Sequence, residues 1–237
     1  DGTFNECVNG AAGCETVALA PVPIGTGNDF CRMFGEESRF YLDFPALLRG
    51  TTHKIDLISV NSKYSACICS VGVDARIGTN VHSYTSLPFC SGGGAYVVSA
   101  VVELLKGITR PMKLTCGSFT YDGQVTLCCV CNGRFYGGGF NPSPDAMPDD
   151  GILDVYFVRK MNLLQVAAAI GKYAKGRADE FPQYITHLKG DSMTIEFAEE
   201  EVINADGEAI RATKADIRLI PQALNLILPE GLTFFSH

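Results

Sequence analysis

The chain has 237 residues, a formal net charge of −7, 46% hydrophobic residues and 19% charged ones. That balance is globular, with material for one large domain or two small ones. The acidic charge and the lack of any basic block exclude a nucleic-acid binder held by phosphate contacts, and they speak against constitutive attachment to an anionic membrane surface.

In chain order, DGTFNECVNG reads as the second half of a loop-to-helix turn. With no initiating Met, the chain is expected to be a fragment or a processed form. NECVNGAAG predicts a short helix ended by glycines. TVALAPVPI predicts a buried strand. DFCRMFG predicts a helix closed at Gly35, and FPALLRG another with the same glycine stop. Up to about Pro45 this alternation is α/β in style.

After Gly50 strands dominate. HKIDLISVN and KYSACICSVGVD are separated by a turn at Asn61-Ser62, and PMKLTCGSFTYDGQVTLCCVCN predicts two strands around a hairpin turn at Asp122-Gly123. GILDVYFVR, SMTIEFAEE, EEVINADGEAI and KADIRLIPQALNLILP predict further strands. Two helices interrupt them, AYVVSAVVELLKG and NLLQVAAAIGKYAKG. The first is apolar nearly all round, which suits a core helix or a lipid-facing one. It is far shorter than the roughly 20 residues that span a bilayer. Tyr84, Leu87, Pro88 and Phe89, before the SGGG stretch, mark either a flap over a lipid pocket or a plain surface loop.

Ten cysteines are present. Cys67 and Cys69, and Cys128, Cys129 and Cys131, lie inside apolar strand-like runs, where they act as small buried hydrophobes rather than disulfide partners. No CxxC pair offers a zinc site. Reduced cysteines and the lack of a signal peptide predict a cytoplasmic protein. His53, His82, His187 and His237 have no spacing for metal ligation or a triad, and each is expected on the surface or in a loop.

Four stretches carry chemistry. In GTGND, Gly25 and Gly27 let the backbone turn tightly against a ligand, Thr26 offers a hydroxyl, and Asn28 and Asp29 open a helix. Free amides there suit an anion, though a plain capped turn has the same residues. The DGT turn, with Asp1, Thr3 and Asn5 as polar members, is a second loop of that kind. In ADGEAI, Asp206 and Glu208 at i and i+2 fall on one face if the segment is a strand, where paired carboxylates hold a metal or shift one another's pKa; a solvated hairpin tip is the alternative. In NGRFYGGGFNPSPDAMPDDGILDV, three glycines follow a strand, and MPDDGI has the oxygens to wrap a hard cation or to form an acidic turn.

Taken in order, these stretches resemble one family. DGTFNECVNG resembles the tail of GGDGT-x-x-E-x-x-N-G, and PVPIGTGNDFCR resembles P-x-G-T-x-N-D-F-A-R. NGRFYGGGFNPSPDAMPDDGILDV resembles N-G-x-x-x-G-G-G-x-x-x-x-P-x-A-x-x-D-D-G-x-L-D-V, and INADGE resembles the closing D-G-E. This is the soluble diacylglycerol kinase family, which includes bacterial lipid kinases and the catalytic domains of sphingosine and ceramide kinases. The resemblance runs from Asp1 to about Pro229. Cys31 stands where alanine is usual, and the two glycines before Asp1, with everything upstream, are absent.

The resemblance implies α/β plus all-β architecture: a truncated α/β nucleotide domain like those of NAD kinases and phosphofructokinases over residues 1–48, then a mainly antiparallel β-sandwich domain over 49–228. A tail at 229–237 returns to the first domain. It implies ATP and Mg²⁺ as cofactors, with Asp1, Gly2, Thr3, Phe4 and Asn5 matching the ATP loop and Gly25, Thr26, Gly27 and Asn28 a second nucleotide contact. Asp1, Asp29, Asp206 and Glu208 then surround a water-bound Mg²⁺. Glu208 is the chosen base and Asp206 its metal or network partner, with the reverse assignment left open. A structural Mg²⁺ beside the triple glycine is implied, held by the Met147 carbonyl, the Asp150 carboxylate and the Ile152 carbonyl.

The implied activity is transfer of the ATP γ-phosphate to the hydroxyl of a diacylglycerol-like lipid, in phospholipid metabolism, by a cytoplasmic protein in transient contact with the membrane surface. This piece alone is expected to be inactive. Whether it forms a homodimer is open. Two rivals remain: a kinase of a soluble substrate related to NAD kinase, and a non-catalytic lipid-binding protein on the same scaffold.

Overall fold

The structure is a computed structural model, and it describes residues 2–77 and 107–235. The architecture is mixed α/β with mainly antiparallel strands. It opens with helix α1 (Gly2–Ala11), the two-residue strand β1 (Ala18–Leu19), a four-residue helix α2 (Asp29–Arg32), a 3-10 helix (Gly35–Leu42) and α3 (Phe44–Leu48). Strands β2 (Thr51–Val60), β3 (Lys63–Ser65) and β4 (Ile68–Gly72) follow, then β5 (Arg110–Cys116), β6 (Phe119–Cys131) and β7 (Leu153–Arg159). Helix α4 (Leu163–Tyr173) precedes β8 (Ile185–Gly190), β9 (Ser192–Ala205) and β10 (Glu208–Leu228).

The strands join in one sheet of order β3-β2-β10-β9-β4-β6-β7-β8. Strands β4 and β5 share one slot. Both pair with β6 on one side and β9 on the other, β4 at Ile203–Ala205 and β5 at Thr194–Phe197 of β9. The two arms of the sheet fold over a common interior that takes Ile58 from β2, Ile217 from β10, Val130 from β6 and Phe157 from β7. The period-2 alternation of strands sorts the cysteines: Cys69 and Cys128 face this interior, whereas Cys129 and Cys131 face a second core with α1, α2 and α4. All seven cysteines of the buried set are unpaired thiols.

Several sequence expectations change. The run at 16–24 supplies only β1, parallel to Asn225–Leu226 of β10. Pro21 and Pro23 lack the amide hydrogen a ladder needs, and Ile24 is 83% exposed rather than buried. The hairpin turn expected at Asp122-Gly123 lies at Gly117-Ser118 instead. That register sends Met112, Leu114 and Cys116 into the core, and it places Asp122 and Gly123 mid-strand opposite Lys113 and Met112. The three segments read separately from 192 to 229 form just two long strands, with β10 kinked at bulges between Ala212 and Lys214 and between Ile220 and Leu224. The helix at 29–35 stops at Arg32. Strand β8 had no expectation. The helix predicted at 95–107, the flap residues Tyr84 to Phe89, His82 and His237 lie outside the described residues, except for Gly107.

Local chemistry explains the retained elements. Asn162 accepts from the Gln165 amide at 2.9 Å and the Gln165 side chain accepts from the Asn162 amide at 2.7 Å, a capping box that starts α4. Asp43 caps α3 through the Ala46 amide. After β10 the chain packs on residues 34–53: the Glu230 amide donates to the Ala46 carbonyl, the Thr233 amide to Glu37, Phe234 packs edge-on to Phe34, and Phe235 stacks on His53. His187 is exposed on β8, as expected, and bonded to Asp154; His53 is half-buried in β2 and bonded to Asp149.

At the end of β4, Gly72 has φ +108°, and a Cβ there would meet the Thr126 carbonyl oxygen at 2.5 Å. Gly72→Ala is expected to cost about 2–4 kcal/mol, combining backbone strain with a steric clash, read as a lowered urea midpoint at unchanged m-value.

Candidate active site

A cleft of about 460 Å³ lies where α1, the loop before α2, the glycine loop after β6 and the β9–β10 turn converge; Phe4, Asn5, Thr26, Gly27, Asp29 and Asp206 are among its walls. Asn28, in the left-handed region at φ +53°, folds its side chain back to bond both the amide and the carbonyl of Gly25, at 2.8 and 2.7 Å. This closes the GTGND turn and leaves Thr26 and Gly27 at its tip, on the cleft. Asn28 does not cap α2 with its side chain, and at four residues α2 is too short for a useful helix dipole. Any anion site here therefore rests on the loop rather than on the helix start.

The glycine loop forms the facing wall. Gly137, Gly138 and Gly139 have φ values of +61°, +80° and +130°, a run that residues with a Cβ rarely adopt. It turns the Gly138 amide toward Asp29, which accepts at 2.9 Å. Arg32 lies 3.5 Å from the other Asp29 oxygen. Burial raises the Asp29 pKa; the Gly138 amide and Arg32 draw it down, and the negative charge of Asp206 adds to the rise.

Asp206 is held most tightly. With φ +47° it forms a two-residue turn with Gly207 (φ +96°) between β9 and β10. Its carboxylate accepts from three successive amides, Ala66 at 2.7 Å, Cys67 at 3.0 Å and Ile68 at 2.8 Å. Burial pushes its pKa up, and those amides oppose the rise. The turn separates the carboxylates expected on one strand face: Asp206 points inward, while Glu208 begins β10 exposed and is not among the cleft-lining residues. Asn5, 2% exposed, donates to the Ala205 carbonyl at 3.4 Å and so ties α1 to this turn. Gly2 and Thr3 are exposed in the first turn of α1. Asp1 lies outside the described residues.

The 147–152 loop is organised by Asp56 instead. This residue, 2% exposed, accepts from the Gly151 amide at 2.9 Å and the Gln222 amide at 2.7 Å, while its own amide donates to the Pro148 carbonyl. Asp150 accepts from the Ile152 amide at 2.9 Å, and burial, then the neighbouring Asp154 and Asp56, raise its pKa. The Asp56 oxygens are engaged by amides, and Asp154 by His187 and Lys189. Among the described residues no group of three or more His, Cys, Asp or Glu side chains is placed to hold a metal.

A second, apolar cavity of about 330 Å³ adjoins the cleft and shares Tyr136, Gly137 and Asn204 with it. Helix α4 lines it with Leu163, Val166 and Ile170. Asp74, just past β4, stands in its wall. The residue is partly exposed, but its Oδ2 is buried and lacks a hydrogen-bond partner. Burial pushes the Asp74 carboxyl up to about 6, despite the Ser70 hydroxyl, the Ala75 amide and the Tyr136 hydroxyl nearby. Neither this cavity nor Asp74, Asn204 and Tyr136 figured among the sequence candidates. The available signal was a lone acid closing the apolar run ACICSVGVD.

A carboxyl whose pKa is higher folded than unfolded costs stability above its folded value, and the cost fades as pH falls from about 6 toward 4. Asp74→Asn is therefore expected to stabilise the protein at pH 8 by up to about 3 kcal/mol and to confer nothing at pH 4, as measured by urea unfolding at both.

Comparisons with known proteins give the family. A family model described as the diacylglycerol kinase catalytic domain matches residues 1–60, and one described as the YegS C-terminal NAD kinase beta sandwich-like domain matches residues 67–228. A protein of Stenotrophomonas maltophilia named "Probable lipid kinase YegS-like" is 29% identical over 98% of this chain and 77% of its own length. One of the same name from Shewanella frigidimarina is 24% identical over 98% and 75%. In fold, the chain is similar to a crystal structure of a diacylglycerol kinase from Bacillus anthracis, with TM-score 0.69 at 23% identity over 98% of this chain and 74% of that one. Since the sandwich model alone spans more than half of the residues and the catalytic-domain model precedes it, this chain belongs to the diacylglycerol kinase family, among the lipid kinases.

Proposed function

We propose that the protein is an ATP- and Mg²⁺-dependent kinase that phosphorylates the hydroxyl of a diacylglycerol-like lipid. The observation that carries this reading is the junction of two unlike cavities. A polar cleft bearing Asp29 and Asp206 abuts an apolar cavity, and the two share Tyr136, Gly137 and Asn204 in their walls. A lipid alcohol needs that pairing, with its chain out of water and its hydroxyl among polar groups.

Thr26, Gly27, Gly137 and Gly138 leave room for backbone to approach phosphates, and Asp29 and Asp206 add carboxylate oxygens suited to a hard cation. ATP supplies the phosphoryl group and Mg²⁺ neutralises its charge. The lipid oxygen bonds to the γ-phosphorus, the bond to the β-phosphate oxygen breaks, and the hydroxyl proton passes to a base. Glu208 is our base. It is exposed, and no hydrogen bond or ion pair engages it among the described residues, whereas Asp206 is bound by three amides. In that division Asp206 fixes the turn that carries Glu208. Asp1 to Asn5, Gly25 and Asn28 complete the nucleotide side.

We assign a Mg²⁺ that would keep several waters to the Met147 carbonyl, the Asp150 carboxylate and the Ile152 carbonyl; Asp150 is the one acidic side chain of that set, and it also accepts the Ile152 amide. We assign residues 1–48 to the nucleotide domain and 49–228 to the sandwich, with the tail returning to the former; the contacts of Glu230 and Thr233 with Ala46 and Glu37 support that return. Action from the cytoplasm, at the membrane periphery, follows from the substrate.

With radiolabelled ATP and dispersed lipid, Glu208→Gln, Asp206→Asn and Asp29→Asn of the intact protein are each expected to lower kcat by about 100-fold or more. Chelating Mg²⁺ should abolish transfer. Full activity in Glu208→Gln would remove it as the base, and transfer to NAD but to no lipid would favour the soluble-substrate rival. Added Mg²⁺ is expected to raise the Tm of the wild type and to do so less in Asp150→Asn.

A further inference from the structure

Among the described residues, Tyr136, Gly137 and Asn204 line both the polar cleft and the apolar cavity. Gly137 has no side chain, and the Tyr136 hydroxyl is turned to Asp74 and Tyr173. Asn204 stands on β9, opposite Ala209 of β10 and Ser70 of β4. Its neighbours Ile203 and Ala205 face the sandwich interior, so strand alternation sends Asn204 to the other face, where the two spaces meet. It is 9% exposed there. Its Oδ1 accepts from the Gly207 amide at 2.8 Å. Only the oxygen of a carboxamide can meet an N–H, so this bond fixes the orientation and leaves Nδ2 on the far side with two donors. Nδ2 has no hydrogen-bond partner among the described residues, and it keeps accessible surface. The cleft is otherwise short of side-chain donors. Asp29 and Asp206 present acceptors, and no Lys, Arg or His is among the described residues that line it. A phosphoryl group in transfer spreads negative charge over three equatorial oxygens and is stabilised by donors aimed at them.

We propose that Asn204 is a catalytic residue whose Nδ2 donates to an oxygen of the phosphoryl group as that group passes from ATP to the lipid hydroxyl. The proposal rests on the kinase reading above and adds a donor distinct from both the cleft acids and the base. The lipid oxygen bonds to the γ-phosphorus, the bond to the β-phosphate oxygen breaks, and the hydroxyl proton goes to Glu208. Both N–H bonds of Asn204 stay intact throughout. In that reading the lipid comes from the apolar side and the phosphorus from the polar side, so a donor on the shared wall stands where the transferred group must pass. A neutral carboxamide suits this position, because it adds no charge for Asp206 to pair with. The Gly207 bond ties the carboxamide to the turn that carries Asp206 and Glu208, so the donor is already aimed before the substrates arrive.

The test measures kcat and KM of the intact protein in mixed micelles with radiolabelled ATP. The acceptor is whichever of 1,2-dioleoylglycerol, 1-oleoylglycerol and 2-amino-1-octadecanol the wild type phosphorylates fastest. Asn204→Asp keeps an acceptor for the Gly207 amide and loses the donor, whereas Asn204→Ala loses both and adds no charge. Each is expected to lower kcat by about 100-fold or more, with KM for ATP and for lipid little changed, the mark of an interaction made in the transition state. The Tm of Asn204→Asp should stay near that of the wild type. The Asn204→Ala loss should recur in a Glu208→Gln background, because the donor acts on the phosphoryl group and not through the base. A kcat near wild type in either single variant, a loss confined to KM, or an Asn204→Ala loss that vanishes in Glu208→Gln overturns the proposal and leaves the kinase reading intact. Phosphorylation of none of the three lipids by the wild type overturns both.

Discussion

Three consecutive backbone amides, from Ala66 to Ile68, donate to one carboxylate, that of Asp206. The sites are some 140 positions apart in the chain. Hydrogen bonds to a charged group contribute about 1.5–3 kcal/mol each, set against the cost of taking a carboxylate out of water. Their larger effect is geometric. They lock the tip of the β9–β10 hairpin onto the corner between β3 and β4, and Asn5 then docks α1 against the same tip through the Ala205 carbonyl. Asn9 adds a reciprocal pair with the Tyr64 backbone, at 2.9 Å in each direction. Without the carboxylate, the corner would have three amides lacking their acceptor and the cleft would lack one wall.

The opposite wall depends on backbone rather than on side chains. Three positive φ values in a row let the chain reverse between Tyr136 and Phe140, which bond each other's backbone at 2.9 Å. The reversal presents the Gly138 amide to Asp29 on the polar side and leaves the Tyr136 and Phe140 rings on the apolar side. Polar and apolar spaces therefore meet across a single short loop. The proposed transfer would bring the two substrates together across this loop, where near-attack geometry supplies much of the rate.

Much of this was legible in the residues. Glycines and the Asp150-Gly151 and Asp206-Gly207 pairs marked loops, and apolar context marked the cysteines as buried; α4 carried its own capping box. The failures share a cause, which is that tertiary register overrode a local signal. Asp122-Gly123 has strong turn chemistry, yet the core alternation of Met112, Leu114 and Cys116 moved the turn to Gly117-Ser118. Asp206 and Glu208 would share a face only on a straight strand, and the left-handed backbone at Asp206 sends them apart. Asp74 was invisible for another reason. In sequence it is one acid after an apolar run, and only the packing of α4, β6 and β8 around it turns that position into the wall of a cavity.

Asp206 and Asp74 make an instructive contrast, because both are acids withdrawn from water near the same strand, β4, and both push the Cys69 thiol pKa upward. Asp206 accepts amides at both oxygens, as a structural carboxylate should. Asp74 accepts one, from Ala75 at 2.7 Å, and leaves Oδ2 without any. Packing alone would favour an amide or an apolar residue at position 74, since an unsatisfied buried charge is among the more costly features a fold can carry. Asp206 therefore helps to hold its corner, whereas Asp74 carries a cost that is present above its raised pKa and fades as the pH falls.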